Sequence, residues 1–386
     1  MNYDFDTIIN RYGTDSIKYD FSGEKGYPPD TLPMWVADMD FSMPPEVLED
    51  INRVTAHGIF GYTKPGDDYY SAVINWFASR FAYSAAKEEI IDSPGVIFSL
   101  VQVVKALSNV GDAVLVQTPV YNPFFNVVRE NNRSLVTNPL IYSNGKYTID
   151  FADFEQKIAV NDVKLFILCS PHNPVGRVWT AEELNKLNDI CLKYGVKVVS
   201  DEIHCDFVWP GNKHTCFGLV NENAVIAVSP SKTFNMAGLQ VSSIFVKNTL
   251  YRDKIRAEFR QSGYGQLNTL GLAAGKSAYT KGASWFEALK IYLYENIKLT
   301  GEFIKTHIPE IKFTSTEASY LMWLDFSHYG LKQKELDRRI LEGAKLWLSS
   351  GTGFGLEGRG FQRINLACPR KLLLEVLERL RKEFAV

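Results

Sequence analysis

The chain has 386 residues, 46% of them hydrophobic and 22% charged, with a formal net charge of -2. That length suffices for two domains, because single cores stop growing near roughly 250 to 300 residues. The balanced charge, with no long block of one sign, argues against nucleic-acid and membrane-surface binding, and no apolar run approaches the ~20 residues of a membrane span.

The opening stretch, Met1 to Asn10, is acidic and too weakly apolar for a signal peptide, so a cytoplasmic location is expected. The first strand-length run is Ala113–Gln117, followed by Pro119-Val-Tyr121. Val163–Cys169 is the second, leading into Ser170-Pro-His-Asn-Pro-Val-Gly176. Next, Thr180-Ala-Glu-Glu183 reads as a capping box that opens a helix with apolar residues at Leu184, Leu187, Ile190 and Cys191, closed by Gly195. Val196–Ser200 then runs into Asp201-Glu-Ile-His204, and Ala224–Val228 into Ser229-Pro-Ser-Lys232. A fifth run is Ser242–Val246. Strand, helix, strand in this order implies right-handed crossovers and a mainly parallel sheet, so the centre of the chain is α/β.

Open parallel sheets bind ligands at the carboxyl ends of their strands, so Tyr121, Asn173, Asp201 and Lys232 are expected to converge on one side. A lysine amine in a water-poor site can form a Schiff base with an aldehyde. Ser229 and Ser231 bracket it with hydroxyls suited to a phosphate. Asp201 would pair with a protonated ring nitrogen, Tyr121 would stack on the ring, and Asn173 would donate to a phenolic oxygen. Pyridoxal 5'-phosphate carries all of these groups. Each residue alone has an ordinary reading: a surface lysine, a core aromatic, a turn asparagine, a helix cap.

Two other patterns lead nowhere. The five cysteines, Cys169, Cys191, Cys205, Cys216 and Cys368, contain no C-x-x-C pair and read as reduced thiols; with His204 and His214 they match no common zinc spacing, and no metal is expected. Gly351-Thr-Gly-Phe-Gly355 lacks the strand, turn and helix of a dinucleotide fingerprint. Beyond it, Lys371 to Val386 has apolar residues at helical spacing.

Pro171-His-Asn-Pro-Val-Gly176, Asp201-Glu202, Ser229-Pro-Ser-Lys232 and Arg363 occur in an order that resembles the fold-type I pyridoxal-phosphate enzymes related to aspartate aminotransferase. Leu32-Pro-Met-Trp-Val-Ala-Asp-Met-Asp40, Asp201-Glu-Ile-His204 and Ser231–Gln240 are similar to the cystathionine β-lyase-like C–S lyases, the MalY/PatB group. The resemblance implies a seven-stranded, mainly parallel sheet with one antiparallel strand possible, in a large cofactor-binding domain over residues 51–284. A smaller α+β domain would be formed by residues 1–50 and 285–386.

It also implies further site residues. The backbone N–H groups of Val96 and Ile97 would meet the cofactor phosphate at a helix N-terminus, and Tyr62 would reach the phosphate in a neighbouring subunit of a homodimer with shared active sites. Arg363 would fork onto the substrate carboxylate. Asp38 is expected near the substrate, and His204 near the cofactor where many transaminases have tyrosine. Lys232 would serve as attachment point and general base for an amino-acid substrate. The expected activity is α,β-elimination of cystathionine or a related thioether to a thiol, pyruvate and ammonia. An aminotransferase uses the same lysine, aspartate and arginine, so residue chemistry leaves both open, together with a chiefly regulatory protein acting through a transcription-factor partner.

Overall fold

The computed structural model describes residues 3–385; Met1, Asn2 and Val386, the last of which ends the C-terminal helical pattern, lie outside the described residues. A seven-stranded sheet forms its centre. Its strands are β1 (Ile90–Ser93), β2 (Ala113–Thr118), β3 (Ser134–Pro139), β4 (Leu165–Cys169), β5 (Lys197–Asp201), β6 (Val225–Val228) and β7 (Ser242–Phe245). They lie in the order β1-β7-β6-β5-β4-β2-β3. Neighbours from β6 through β3 run parallel, whereas β7 is antiparallel to both β6 and β1. The expected α/β class with one antiparallel strand therefore holds.

Strands covered on both faces read as continuous apolar runs, because each alternate side chain needs its own core. In β4, Leu165, Ile167 and Cys169 join the apolar cluster on one face, while Phe166 and Leu168 join the cluster on the other. β2 divides the same way, with Val114 and Val116 on the first face and Leu115 on the second. α1 (Val96–Leu107) buries Leu100, Val103 and Val104 in the first cluster. On the other face lies α2 (Ala181–Lys193), where the Glu183 N–H donates to the Thr180 hydroxyl and the Glu183 carboxylate accepts from the Thr180 N–H. Gly195 follows it at φ +67°, the left-handed conformation glycine adopts without steric cost. β1 and β3 escape the periodicity reading because each is short or only half-buried.

The chain then passes through the short α3 (Pro230–Thr233) and the long α4 (Ala283–His307) into a second, antiparallel sheet. That sheet has the order β8-β9-β11-β10, built from β8 (Lys312–Phe313), β9 (Leu321–Asp325), β10 (Ser349–Ser350) and β11 (Phe361–Asn365). α5 (Arg370–Phe384) closes it, burying Leu373, Val376, Leu377 and Leu380. The N-terminal segment joins these C-terminal elements through Leu32–Pro33, which pairs with Leu346–Trp347. Continuing onward, residues 34–41 form a strap that crosses from β11 to the segment carrying Lys232. Among the described residues, no helix is long and apolar enough to cross a membrane.

Candidate active site

The carboxyl ends of β2, β4, β5 and β6 open into a cavity of about 460 Å³, lined among others by Tyr121, Asn173, Asp201, His204, Lys232 and Arg363. Val96, Ile97, Ser229 and Ser231 also line it. The convergence expected from strand order is thus present.

Lys232 is delivered by α3. The Ser229 hydroxyl accepts from the Ser231 N–H at 3.0 Å and donates to the Val241 carbonyl at 2.7 Å, which caps this one-turn helix. The hydroxyl expected to greet a phosphate is therefore also a structural pin. Thr233 fixes the other side of the turn by donating to buried Asp206 at 2.6 Å, which also accepts from the Trp76 indole. At 2.7 Å, the Lys232 amine donates to the Ala37 carbonyl. Burial pulls its ammonium down to about 8, helped by Arg363 and opposed by Asp38 and Asp201.

Asp201 ends β5, in register with Cys169 of β4, and accepts one backbone bond from Ile203 at 3.1 Å. Burial pushes this carboxyl up to about 7, with Glu202 adding to the rise and Lys232 opposing it. A cation placed against it would relieve that cost. Glu202, which follows, faces away and accepts from Ser200, His214 and the Phe217 N–H.

Arg363 enters from β11. Its guanidinium donates to Asn173 Oδ1 at 3.0 Å, the Trp35 carbonyl at 2.8 Å and Ser349 Oγ at 3.2 Å, and lies over the Phe354 ring. Its Nε is buried with no hydrogen-bond partner among the described residues, and no carboxylate there pairs with it. Burial lowers it to about 10, which leaves it charged. With the Asn173 side-chain oxygen committed to Arg363 and its backbone N–H donating to Cys169 Sγ, the side-chain amide nitrogen makes no bond among the described residues.

Burial also takes His204 down to about 3, with Lys232 and Arg363 adding to the effect, so the imidazole is neutral; its Nδ1 is without a partner among the described residues. Tyr121 presents its ring to the cavity and meets Phe124 edge-on. Val96 and Ile97 form the first turn of α1, whose N–H groups lack intrahelical acceptors and suit an anion.

Tyr62 and Asp38 do not line this chain's own cavity. Tyr62 is 98% exposed and does not line this cavity. Asp38 also falls outside the lining, held by Arg11 at 2.6 Å with Lys18 at 3.6 Å, in a network shared with Asp40. Sequence reasoning missed Trp35, Tyr320, Ser349 and Phe354. The only signal for Trp35 was its place in the Leu32–Asp40 motif.

The cavity fits an aromatic aldehyde bearing a basic nitrogen and a phosphate. Lys232 would meet the aldehyde and Asp201 the ring nitrogen, and the start of α1 with Ser231 suits the phosphate. A mainly parallel α/β sheet with these groups at its strand ends defines a fold built around an aldehyde cofactor. The chain belongs to the class I and II aminotransferase family, whose model matches residues 30–380. It is 44% identical over 381 residues to the cystathionine beta-lyase PatB of Bacillus subtilis (strain 168), covering 98% of each chain. Cystalysin from Treponema denticola, whose crystal structure contains pyridoxal 5'-phosphate, superposes with a TM-score of 0.95 at 35% identity, covering 99% of each chain. The PLP-bound C–S lyase from Staphylococcus hominis does so with a TM-score of 0.92 at 34% identity, covering 100% of this chain and 98% of that one.

Proposed function

We propose that this protein is a pyridoxal 5'-phosphate-dependent carbon–sulfur β-lyase that cleaves cystathionine or a related cysteine thioether to a thiol, pyruvate and ammonia. The observation that carries the reading is a depressed lysine sharing one cavity with a cation-free carboxylate and a carboxylate-free arginine. Similarity to named lyases favours elimination over transamination.

Bound at this site, the cofactor supplies an electron sink for negative charge developing at the substrate Cα. Asp201 would hold the ring nitrogen protonated, and that cation would offset the cost of burying the carboxylate. Arg363 takes the substrate carboxylate on its open edge, while Asn173 and Trp35 hold the guanidinium in plane. Lys232, near neutrality in its proton affinity, removes the Cα proton as general base. Loss of that proton allows the β-carbon to release its thiolate. Tyr121 would cover the ring face, the Asn173 side-chain amide would donate to the phenolic oxygen, and His204 would contribute a neutral imidazole beside the cofactor.

Tyr62 acts in the site of a second copy, in a homodimer with shared active sites; its near-complete exposure beside Ile59 and Phe60, also exposed, supports this reading. The large domain spans residues 51–284, and residues 1–50 join residues 285–386 in the small one. Incubation with L-cystathionine and no keto acid tests the activity, with pyruvate and homocysteine expected in equal amounts. Turnover only after a keto-acid acceptor is added would assign the protein to transamination instead.

A further inference from the structure

The Ala37 carbonyl accepts two hydrogen bonds, from the Lys232 amine at 2.7 Å and from the Tyr320 hydroxyl at 3.1 Å. Asn365 brackets the same position, donating to the Val36 carbonyl at 2.7 Å and the Asp38 carbonyl at 2.6 Å. Its own oxygen is fixed by the Ala367 N–H. Tyr320 is fully buried and Asn365 is nearly so. Three successive carbonyls of the strap are thus aimed by Tyr320, just before β9, and Asn365, at the end of β11, and the middle one faces Lys232. A carbonyl this firmly oriented is costly scaffolding unless something gains from it.

We propose that the Ala37 carbonyl, oriented by Tyr320 and Asn365, stabilises the ammonium that Lys232 becomes when it takes the substrate's Cα proton, which makes Tyr320 and Asn365 positioning residues of the reaction. The proposal rests on Lys232 acting as general base. In that step the Cα–H bond breaks, its electron pair remains on the substrate side, and an N–H bond forms at Nζ. Positive charge appears on Nζ only as the proton arrives, so an acceptor already in place favours the transition state over the ground state. The other charged or titratable groups facing Lys232 are Asp38, Arg363, Asp201 and His204. Arg363 opposes a charge on the amine and the two aspartates favour it, while His204 is neutral. The backbone carbonyl is the group that touches the amine directly.

Tyr320→Phe keeps the ring in its pocket and removes only the orienting hydroxyl. In the holoenzyme, kcat for L-cystathionine is expected to fall about tenfold at an unchanged KM, with a larger isotope effect from Cα-deuterated substrate. With the cofactor removed from the full chain, the pH midpoint for acetylation of Lys232 by acetic anhydride, read by mass spectrometry, should move down from about 8. The direction follows because a weakened acceptor favours the neutral amine. Asn365→Ala should shift both readouts the same way. A purely architectural role would lower stability or raise KM and leave the midpoint and the isotope effect unmoved; that pattern in both variants overturns the proposal. Exchange of the Cα proton with deuterated solvent separates this outcome from failure of the lyase reading. A parent enzyme that exchanges but forms no pyruvate refutes elimination alone, whereas exchange at the parental rate in Tyr320→Phe refutes the role of the carbonyl.

Discussion

Replacing Asp201 with asparagine is expected to strengthen the cofactor-free chain while disabling the holoenzyme. Burial raises the Asp201 carboxyl from its ordinary 3.8 to about 7. Between those values the folded chain binds more protons than the unfolded one. Stability therefore falls as pH rises from 3.8 to 7, and the full cost stands above 7. About three pH units at about 1.4 kcal/mol each give a cost near 4 kcal/mol, and local water entry absorbs part of it, leaving about 2 to 4 kcal/mol. Asparagine has nearly the same shape and retains the oxygen that accepts from the Ile203 N–H. Urea unfolding of cofactor-free Asp201→Asn at pH 8 should show a gain of that size over the parent. At pH 5 the folded carboxyl is protonated but the unfolded one, at 3.8, is already ionised, so the gain should shrink to about 1 to 1.5 kcal/mol. With cofactor bound the order reverses, and kcat should drop by about a hundredfold or more for want of a charge beside the ring nitrogen. No gain at pH 8, or equal gains at pH 5 and pH 8, would refute the argument that Asp201 is a carboxylate awaiting a cation.

Lys232→Ala should abolish both turnover and the visible absorbance of the bound cofactor, read by spectrophotometry after reconstitution; an unchanged spectrum would show that another group holds the aldehyde. Arg363→Lys keeps a charge but loses the fork, so kcat/KM for cystathionine should fall about ten- to a hundredfold, the worth of one charge-assisted hydrogen bond. Mixing inactive Tyr62→Ala with inactive Lys232→Ala under conditions of subunit exchange should restore activity, because a mixed dimer with shared sites contains one intact site. Absence of recovery despite demonstrated exchange would place Tyr62 in the site of its own chain.

The part of the site carried by the parallel sheet was legible in sequence, because strand ends in such a sheet must face one edge. Tyr121, Asn173, Asp201 and Lys232 each follow an apolar run, and strand order alone brings them together. The capping box at Thr180 was equally legible, since its partners are three residues apart. Nothing local marks Tyr320, Ser349 or Phe354, which stand behind the cavity wall and reach the Ala37 carbonyl or the Arg363 guanidinium from stretches of chain far away in sequence. Asp38 shows what a motif leaves open. Its motif drew attention to the carboxylate, yet Arg11 and Lys18 claim that group, and the neighbouring Ala37 carbonyl touches the lysine instead. The charge state of Asp201 was also hidden, because sequence names the carboxyl and only burial sets its proton affinity.

All five cysteines are free and buried, including Cys169 on the cavity wall, where burial raises the thiol well above its ordinary range. An enzyme that liberates thiols works in a medium of its own nucleophiles, and any protein thiolate within reach can attack their oxidised forms, expelling one product thiolate and forming a mixed disulfide. Mixed-disulfide formation needs a thiolate, and burial holds all five of these thiols in the protonated form, Cys169 on the cavity wall included. The catalyst is thereby chemically insulated from what it makes and should tolerate accumulated product and its disulfides without progressive inactivation.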